Sequence, residues 1–297
     1  MLATTQIRIP HLQATCRVMN QPSRFERESL LATFGSAKTA NVTERLKRFS
    51  FIPHSVVDRL VKDALSENWG TDNFVLYKYL SVHIPWAIEQ DRFSHSDNQL
   101  YLAAGSLQTR YGTPLYLIFE PNNMPDQQPW AMTFAGSNVS APELPRGAAI
   151  PEPPQIPAGV EIVMMHDHII KERLRERLNF LAATPRVAQM CAVSGAIQWS
   201  LNRNLQMPYW YYGRMNYIVP LYLQSRENIT QAPDAVAPIE VNDDCLVVRT
   251  ILPPHAPYAN ARVAVHRHDQ LPAWMLDCWN HEAAGMTESE VEDPEAD

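Results

Sequence analysis

Six prolines fall between positions 141 and 158: Pro142, Pro145, Pro151, Pro153, Pro154 and Pro157. Proline has no backbone N–H to donate and fixes φ near −65°, so neither a helix nor a sheet ladder runs through such a stretch. The segment must cross the surface as irregular chain, and a boundary or hinge fits best there. Regular elements are therefore read separately on its two sides.

Upstream, the spacing predicts a helix over 54–67, with Val57, Leu60, Val61, Ala64 and Leu65 on one face. Ser55 and Asp58 stand at capping-box spacing, and Gly70 ends the element. A second helix starts near Asn73, with Phe74, Tyr77, Leu80, Ile84 and Ile88 as its stripe; Pro85 is expected to kink it or end it early. "QLYLAAG" and "PLYLIFE" flank "RYGT", where Gly112 can supply a hairpin turn. "PWAMTF" reads as a third strand. Downstream come a strand at "VEIVMM", a helix over 169–181 and a longer helix over 185–205 interrupted at Gly195. Strands at "NYIVPLYL" and "CLVVRTIL" and a short helix over 272–279 follow. Helices and strands alternate without a βαβα rhythm. The expected class is α+β, a mixed and mainly antiparallel sheet with flanking helices. Residues 1–42 read as an irregular extension, 43–286 as a single domain containing the crossover, and 287–297 as an acidic disordered tail.

Hydrophobic residues make up 45% of the chain and charged ones 19%, the balance of a folded protein rather than a disordered one. No apolar run approaches the roughly 20 residues that span a bilayer, and the N-terminus lacks a secretory h-region. The expectation is a cytoplasmic protein with no membrane partner. The four cysteines (Cys16, Cys191, Cys245 and Cys278) form no CxxC pair, which argues against zinc-ribbon and thioredoxin motifs. The net charge of −7 argues against a general DNA-coating protein. Its distribution is uneven: residues 1–48 hold eight bases and three acids, whereas 287–297 hold six acids and no base. That asymmetry fits a nucleic-acid-facing end with a solvating tail, and equally ordinary charge scatter.

Four stretches bear on chemistry. "ATFGSAKT" (32–39) has Ala32 and Ala37 where a phosphate loop needs glycine, so it is not one. His166, Asp167 and His168, with His266, His268 and Asp269, are residue types that ligate zinc, iron or manganese. Asp167, however, stands where a helix cap belongs, and no HExxH signature accompanies the set, so no metal ligand is assigned. Lys171, Arg173, Arg175 and Arg177 make a basic rim on the 169–181 helix, suited to a phosphate backbone or simply to solvent. "PYWYYGR" (208–214) joins four aromatics to Arg214, a platform for stacking bases, although alternate side chains of a strand face opposite ways. Glu120 follows a buried-looking strand and is the candidate acid/base group.

"NWGTDNFVLYKYL" (68–80), "GTPLYLIFEPN" (112–122), "HDHIIKERLRERL" (166–178), "YGRMNYIVPLYL" (212–223) and "RTILPPHAPYANARV" (249–263) together resemble an uncharacterised bacterial domain-of-unknown-function family. The match spans roughly residues 43–276. Members of that family often sit beside cold-shock and OST-HTH modules, which bind RNA, so the resemblance implies an RNA-related role. It points to Trp69, Glu120, Arg249, Tyr258, Asn260 and Arg262. At 103–107 "AAGSL" stands where the family tends to carry an Asn-Thr-Gly-Leu run.

The leading expectation is RNA or nucleotide binding, extending to RNA processing. In it Arg214, Arg249 and Arg262 contact phosphate, Tyr211 or Tyr258 stacks a base, and Asn260 reads a base edge or ribose. Whether the protein is an enzyme stays open, and no cofactor is assigned. The alternatives are a non-enzymatic interaction or assembly factor, with the crossover and tail as segments for a protein partner, and a metal-dependent hydrolase.

Overall fold

The computed structural model describes residues 24–39, 41–96, 98–124, 127–141, 143–157, 159–165, 169 and 178–282. The expected basic helix rim, the His166–Asp167–His168 cluster and the acidic tail lie outside them. Within the described residues are seven α-helices and two mixed five-stranded sheets, an α+β fold.

The proline-rich crossover separates the two sheets in sequence. The first sheet uses β1 (Ser50–Phe51), β2 (Phe93–Ser96), β3 (Gln99–Gln108), β4 (Pro114–Pro121) and β5 (Trp130–Gly136), ordered β1-β5-β4-β3-β2. The second uses β6 (Glu161–Met164), β7 (Met207–Tyr211), β8 (Arg214–Leu221), β9 (Ala235–Val241) and β10 (Cys245–Val248), ordered β6-β10-β9-β8-β7. Only β1 with β5 and β6 with β10 run parallel; the other pairings are antiparallel. Period-two alternation sets the first sheet's faces. Leu100, Leu102, Leu117 and Phe119 are fully buried on one side, while Gln99, Tyr101, Tyr116, Ile118 and Glu120 take the other. The β3–β4 hairpin turns at Gly112 (φ +80°), as its sequence requires.

Helices α1 (Arg27–Ala32), α2 (Thr43–Phe49), α3 (His54–Asp63) and α4 (Phe74–Glu89) precede β2. Almost every residue of α4 is buried, which marks it as the central helix rather than an amphipathic surface one. It continues past Pro85 to Glu89, so the expected early end does not occur. Proline leaves the carbonyl four residues back without its helical donor, here that of Ser81, and Arg45 Nη1 donates to that oxygen at 3.4 Å. Three other expectations are corrected. Residues 27–32 form a helix within the segment read as irregular, since Leu30 and Phe34 bury in the main core. α3 stops at Asp63 and starts without a side-chain cap, so Ser55 forms no capping box. α5 (Arg186–Leu201) passes unbroken through Gly195.

α6 (Tyr258–Val263) and α7 (Ala273–Glu282) complete the chain. α6 is wholly buried between α4 and β7, and it joins the first sheet's core to the second sheet. A second core packs α5 against β8, β9 and β10 through Val193, Ile197, Val219, Leu221, Ile239 and Leu246.

Candidate functional site

Glu67 and Arg262 meet across 195 residues of chain. Arg262 Nε donates to Glu67 Oε1 at 2.7 Å, and both side chains are only 2% exposed. Tyr258 O–H donates to the same oxygen at 2.9 Å, and Arg262 Nη1 donates to the Val265 carbonyl at 3.1 Å. The guanidinium also lies over the rings of Tyr79 (4.7 Å) and Trp69 (5.7 Å). Burial pulls the Arg262 pKa down, but Glu67 and Tyr79 more than offset this, so the net shift is upward. Burial and the Glu67 carboxylate drive the Tyr258 hydroxyl far above its ordinary range, which keeps it a proton donor. His268 Nδ1 stands 3.6 Å from Glu67 Oε2 at the outer end of this network.

α4 supplies the inner end. His83 Nε2 is 2.9 Å from the Val263 carbonyl; because a carbonyl only accepts, Nε2 carries the proton. Nδ1 is then a buried lone pair with no partner among the described residues. Burial lowers the His83 pKa to about 3, partly offset by the Val263 bond. The ring stacks on Tyr79 at 3.9 Å. Tyr79 Oη accepts from the Ser106 amide and pairs with the Ser106 hydroxyl, both at 2.8 Å. Gly105 (φ +59°) leaves room for these rings: a Cβ there would stand 2.5 Å from Tyr79 Oη and 2.9 Å from His83 Nδ1.

Ser106 carries the network to the surface. Next to it lies a groove of about 490 Å³. Ala103, Tyr116 and the bulged stretch 105–108 line it on the sheet side, residues 144–149 of the crossover form the other wall, and His266 stands at one end. Four bonds hold that wall: Arg92 Nη1 to Gly147 O (2.5 Å), Gln90 Nε2 to Ala149 O (2.8 Å), the Ala149 amide to Gln90 Oε1 (2.8 Å) and Ser94 Oγ to Glu143 O (2.8 Å). The walls approach so closely that a Cβ on Gly147 would be 2.2 Å from the Gly105 carbonyl. Arg92, Arg146 and His266 line this space, and among the described residues no carboxylate does.

The residues expected to form one site divide among three places. Trp69, Tyr258, Asn260 and Arg262 gather in the buried network. There Tyr258 stacks on Trp279 (4.7 Å), Asn260 Nδ2 donates to Tyr209 Oη at 2.9 Å, and Trp69 Nε1 and Asn260 Oδ1 are buried without partners among the described residues. Tyr211, Arg214 and Arg249 lie on one face of the second sheet, where both arginines pair with Glu240, Arg249 at 3.1 Å. Burial raises the Glu240 carboxyl, but the two guanidiniums hold it below its ordinary value overall. Glu120 accepts from Gln99 Nε2 at 2.7 Å on the outer face of the first sheet. It lies four residues from Tyr116 on that face, roughly 13 Å along the strand.

Glu67, His83, Arg92, Ser106 and Arg146 were not singled out in the sequence. The one local signal was the glycine within the β3 strand pattern, a mark of a bulge or close approach. His266, His268 and Asp269 form no metal set: Asp269 pairs with Arg267, and the described residues contain no cluster of three or more metal-type ligands.

A family model described as a domain of unknown function, DUF3825, matches residues 60–271. The chain belongs to the DUF3825 family. The matched span begins in α3 and ends just before α7, so this DUF3825 domain contains the buried network, the groove and both sheets except β1. No curated protein and no solved structure gives a match. Among the described residues no helix is long and apolar enough to cross a membrane.

Proposed function

We propose that this protein binds a nucleotide or single-stranded RNA, with phosphate seated in the groove between β3 and the crossover. One observation carries the reading: two arginines and a histidine line that groove, and among the described residues no carboxylate lines it beside them. Guanidinium forks suit bidentate phosphate contact, and the half-buried Tyr116 offers a ring beside them. The resemblance to a family found beside cold-shock and OST-HTH modules favours RNA among phosphate carriers. Arg262 is committed to Glu67 and has almost no exposed surface, so phosphate contact passes to Arg92 and Arg146. At Arg214 and Arg249 an incoming phosphate must compete with Glu240, which makes that face the weaker anion site. Glu120 shares the groove's sheet face, and an RNA-processing role for it as acid/base predicts loss of turnover, with binding kept, in Glu120→Gln.

Arg146 gives the cleanest test because it is exposed and makes no ion pair with another described residue. Arg146→Ala is expected to weaken short single-stranded RNA about tenfold and to lower the slope of log affinity against log salt by about 0.7. Fluorescence anisotropy across a salt series measures both. An unchanged affinity and slope sinks the groove as the phosphate site.

A further inference from the structure

The other half of the crossover lines a second pocket with the opposite chemistry. About 530 Å³ in volume, it lies where the C-terminal end of α5 meets the second sheet, with residues 155–157, 159 and 160 on one side. Gln155, Gln198, Asn202, Asn204 and Gln206 line it, and among the described residues no charged one does. Ile156, Val160, Leu201 and Leu246 add aliphatic surface, and Tyr217, whose hydroxyl donates to the Pro154 carbonyl at 2.8 Å, adds one ring.

Two features restrict what this pocket accepts. Gln206 Oε1 is buried and has no hydrogen-bond partner among the described residues, an acceptor waiting for a donor. The pocket also borders the last turn of α5, which ends at Leu201 with Asn202 as its cap. The carbonyls of that turn already accept from Asn202, Arg203, Asn204 and Leu205, so it is the carboxamide side chains that the pocket offers to a ligand. The ligand must therefore bring an N–H or O–H donor for Gln206 Oε1, and the described lining residues offer an anion no cationic partner. Aliphatic walls suit the two faces of a flat ring better than the ring of hydroxyls on a sugar. Carboxamides match base edges, offering a donor and an acceptor side by side.

From these observations we infer a binding site for a neutral, amino-bearing nucleobase, supplied as a free nucleoside or carried in a strand. It recognises the base edge rather than phosphate and does not depend on the groove. Adenine, guanine and cytosine bring an exocyclic amine to Gln206 Oε1; uracil does not.

The test titrates the full chain with adenosine, cytidine and uridine, with adenosine monophosphate, and with glucose, followed by calorimetry. Adenosine and cytidine are expected to bind ahead of uridine, with little dependence on salt. Gln206→Leu is expected to weaken them about tenfold, the loss of one buried hydrogen bond pair. Arg146→Ala should leave nucleoside binding unchanged, so failure here and failure of the groove are separable. Should Gln206→Leu not fold, as judged by its thermal transition, Gln155→Ala on the exposed crossover takes its place. Comparing oligo(A) with oligo(U) then separates a strand-borne base from a free nucleoside. No nucleoside binding, binding untouched by both glutamine variants, or a preference for glucose or for the monophosphate each overturns the proposal.

Discussion

Two carboxylate–arginine sites make an instructive pair. Glu67 holds Arg262 with both side chains 2% exposed, whereas Glu240 holds Arg214 and Arg249, each about half exposed. The functional groups are the same, yet the environments reverse their roles. In the buried pair, Coulombic attraction acts in low dielectric, every departure costs desolvation, Tyr258 and the Val265 carbonyl complete the hydrogen bonding, and the Tyr79 ring faces the guanidinium. Such a pair ties α6 to the chain ahead of α4. At the surface, solvent and salt screen the Glu240 pairs, and the arginines can exchange partners. Charge that is buried and paired fixes architecture; charge that is exposed and unpaired, as at Arg146, is available to a ligand.

The largest expected effect tests the buried side. Arg262→Met strands the Glu67 carboxylate and should cost about 3–5 kcal/mol of stability in urea denaturation. The double variant Glu67→Leu with Arg262→Met should recover much of that loss, because the uncompensated charge is gone. If Arg262→Met proves as mild as a surface change, the contrast between the sites fails.

The next effect depends on pH. His83 titrates near 3 in the folded protein against 6.5 in the unfolded chain. Between those values the unfolded chain binds a proton that the native state does not. Stability from this group is therefore complete above about pH 6.5 and falls as pH drops, by about 1.4 kcal/mol per unit. His83→Gln keeps a donor for Val263 and should flatten the stability–pH curve between pH 4 and pH 6, by about one proton. An unchanged slope would place the His83 ring in water.

The smallest effect is expected at the surface. Glu240→Gln should change stability by less than about 1 kcal/mol, with most of the change absent at high salt. Freed of their carboxylate, Arg214 and Arg249 should then bind RNA more tightly than in the wild type, measurable by the same anisotropy assay. A loss above about 2 kcal/mol would instead make Glu240 a structural partner comparable with Glu67.

Elements carried by local pattern were legible in the sequence. The β3–β4 hairpin followed from alternation and Gly112, and β5, β6, β8 and β10 from short apolar runs between breakers. α1, α2, β1, β2, β9 and α6 were missed. α6, with buried Asn260 and Arg262 inside "PYANARV", has neither an apolar stripe nor a good cap, and packing between α4 and β7 makes it helical. Pro85 misled for a related reason: the rule against internal proline assumes a stranded carbonyl, and Arg45, forty residues earlier, supplies the donor. The C-terminal motif pointed to Arg249, Tyr258, Asn260 and Arg262, but the residue type alone could not tell a phosphate-binding arginine from one bound to Glu67.

Sequence by itself determined the class, the central hairpin and the role of the proline-rich segment as a break between two groups of strands. Those features depend on φ restriction, on missing donors and on period-two burial, which act within a few residues. Tertiary structure alone decided which arginines are spent and which are available, since that depends on partners up to 195 residues away. It also decided that the two halves of the crossover line unlike pockets, one bordered by arginine and the other by carboxamides. Proline explains why the segment is irregular; only the surfaces it packs against explain what it encloses.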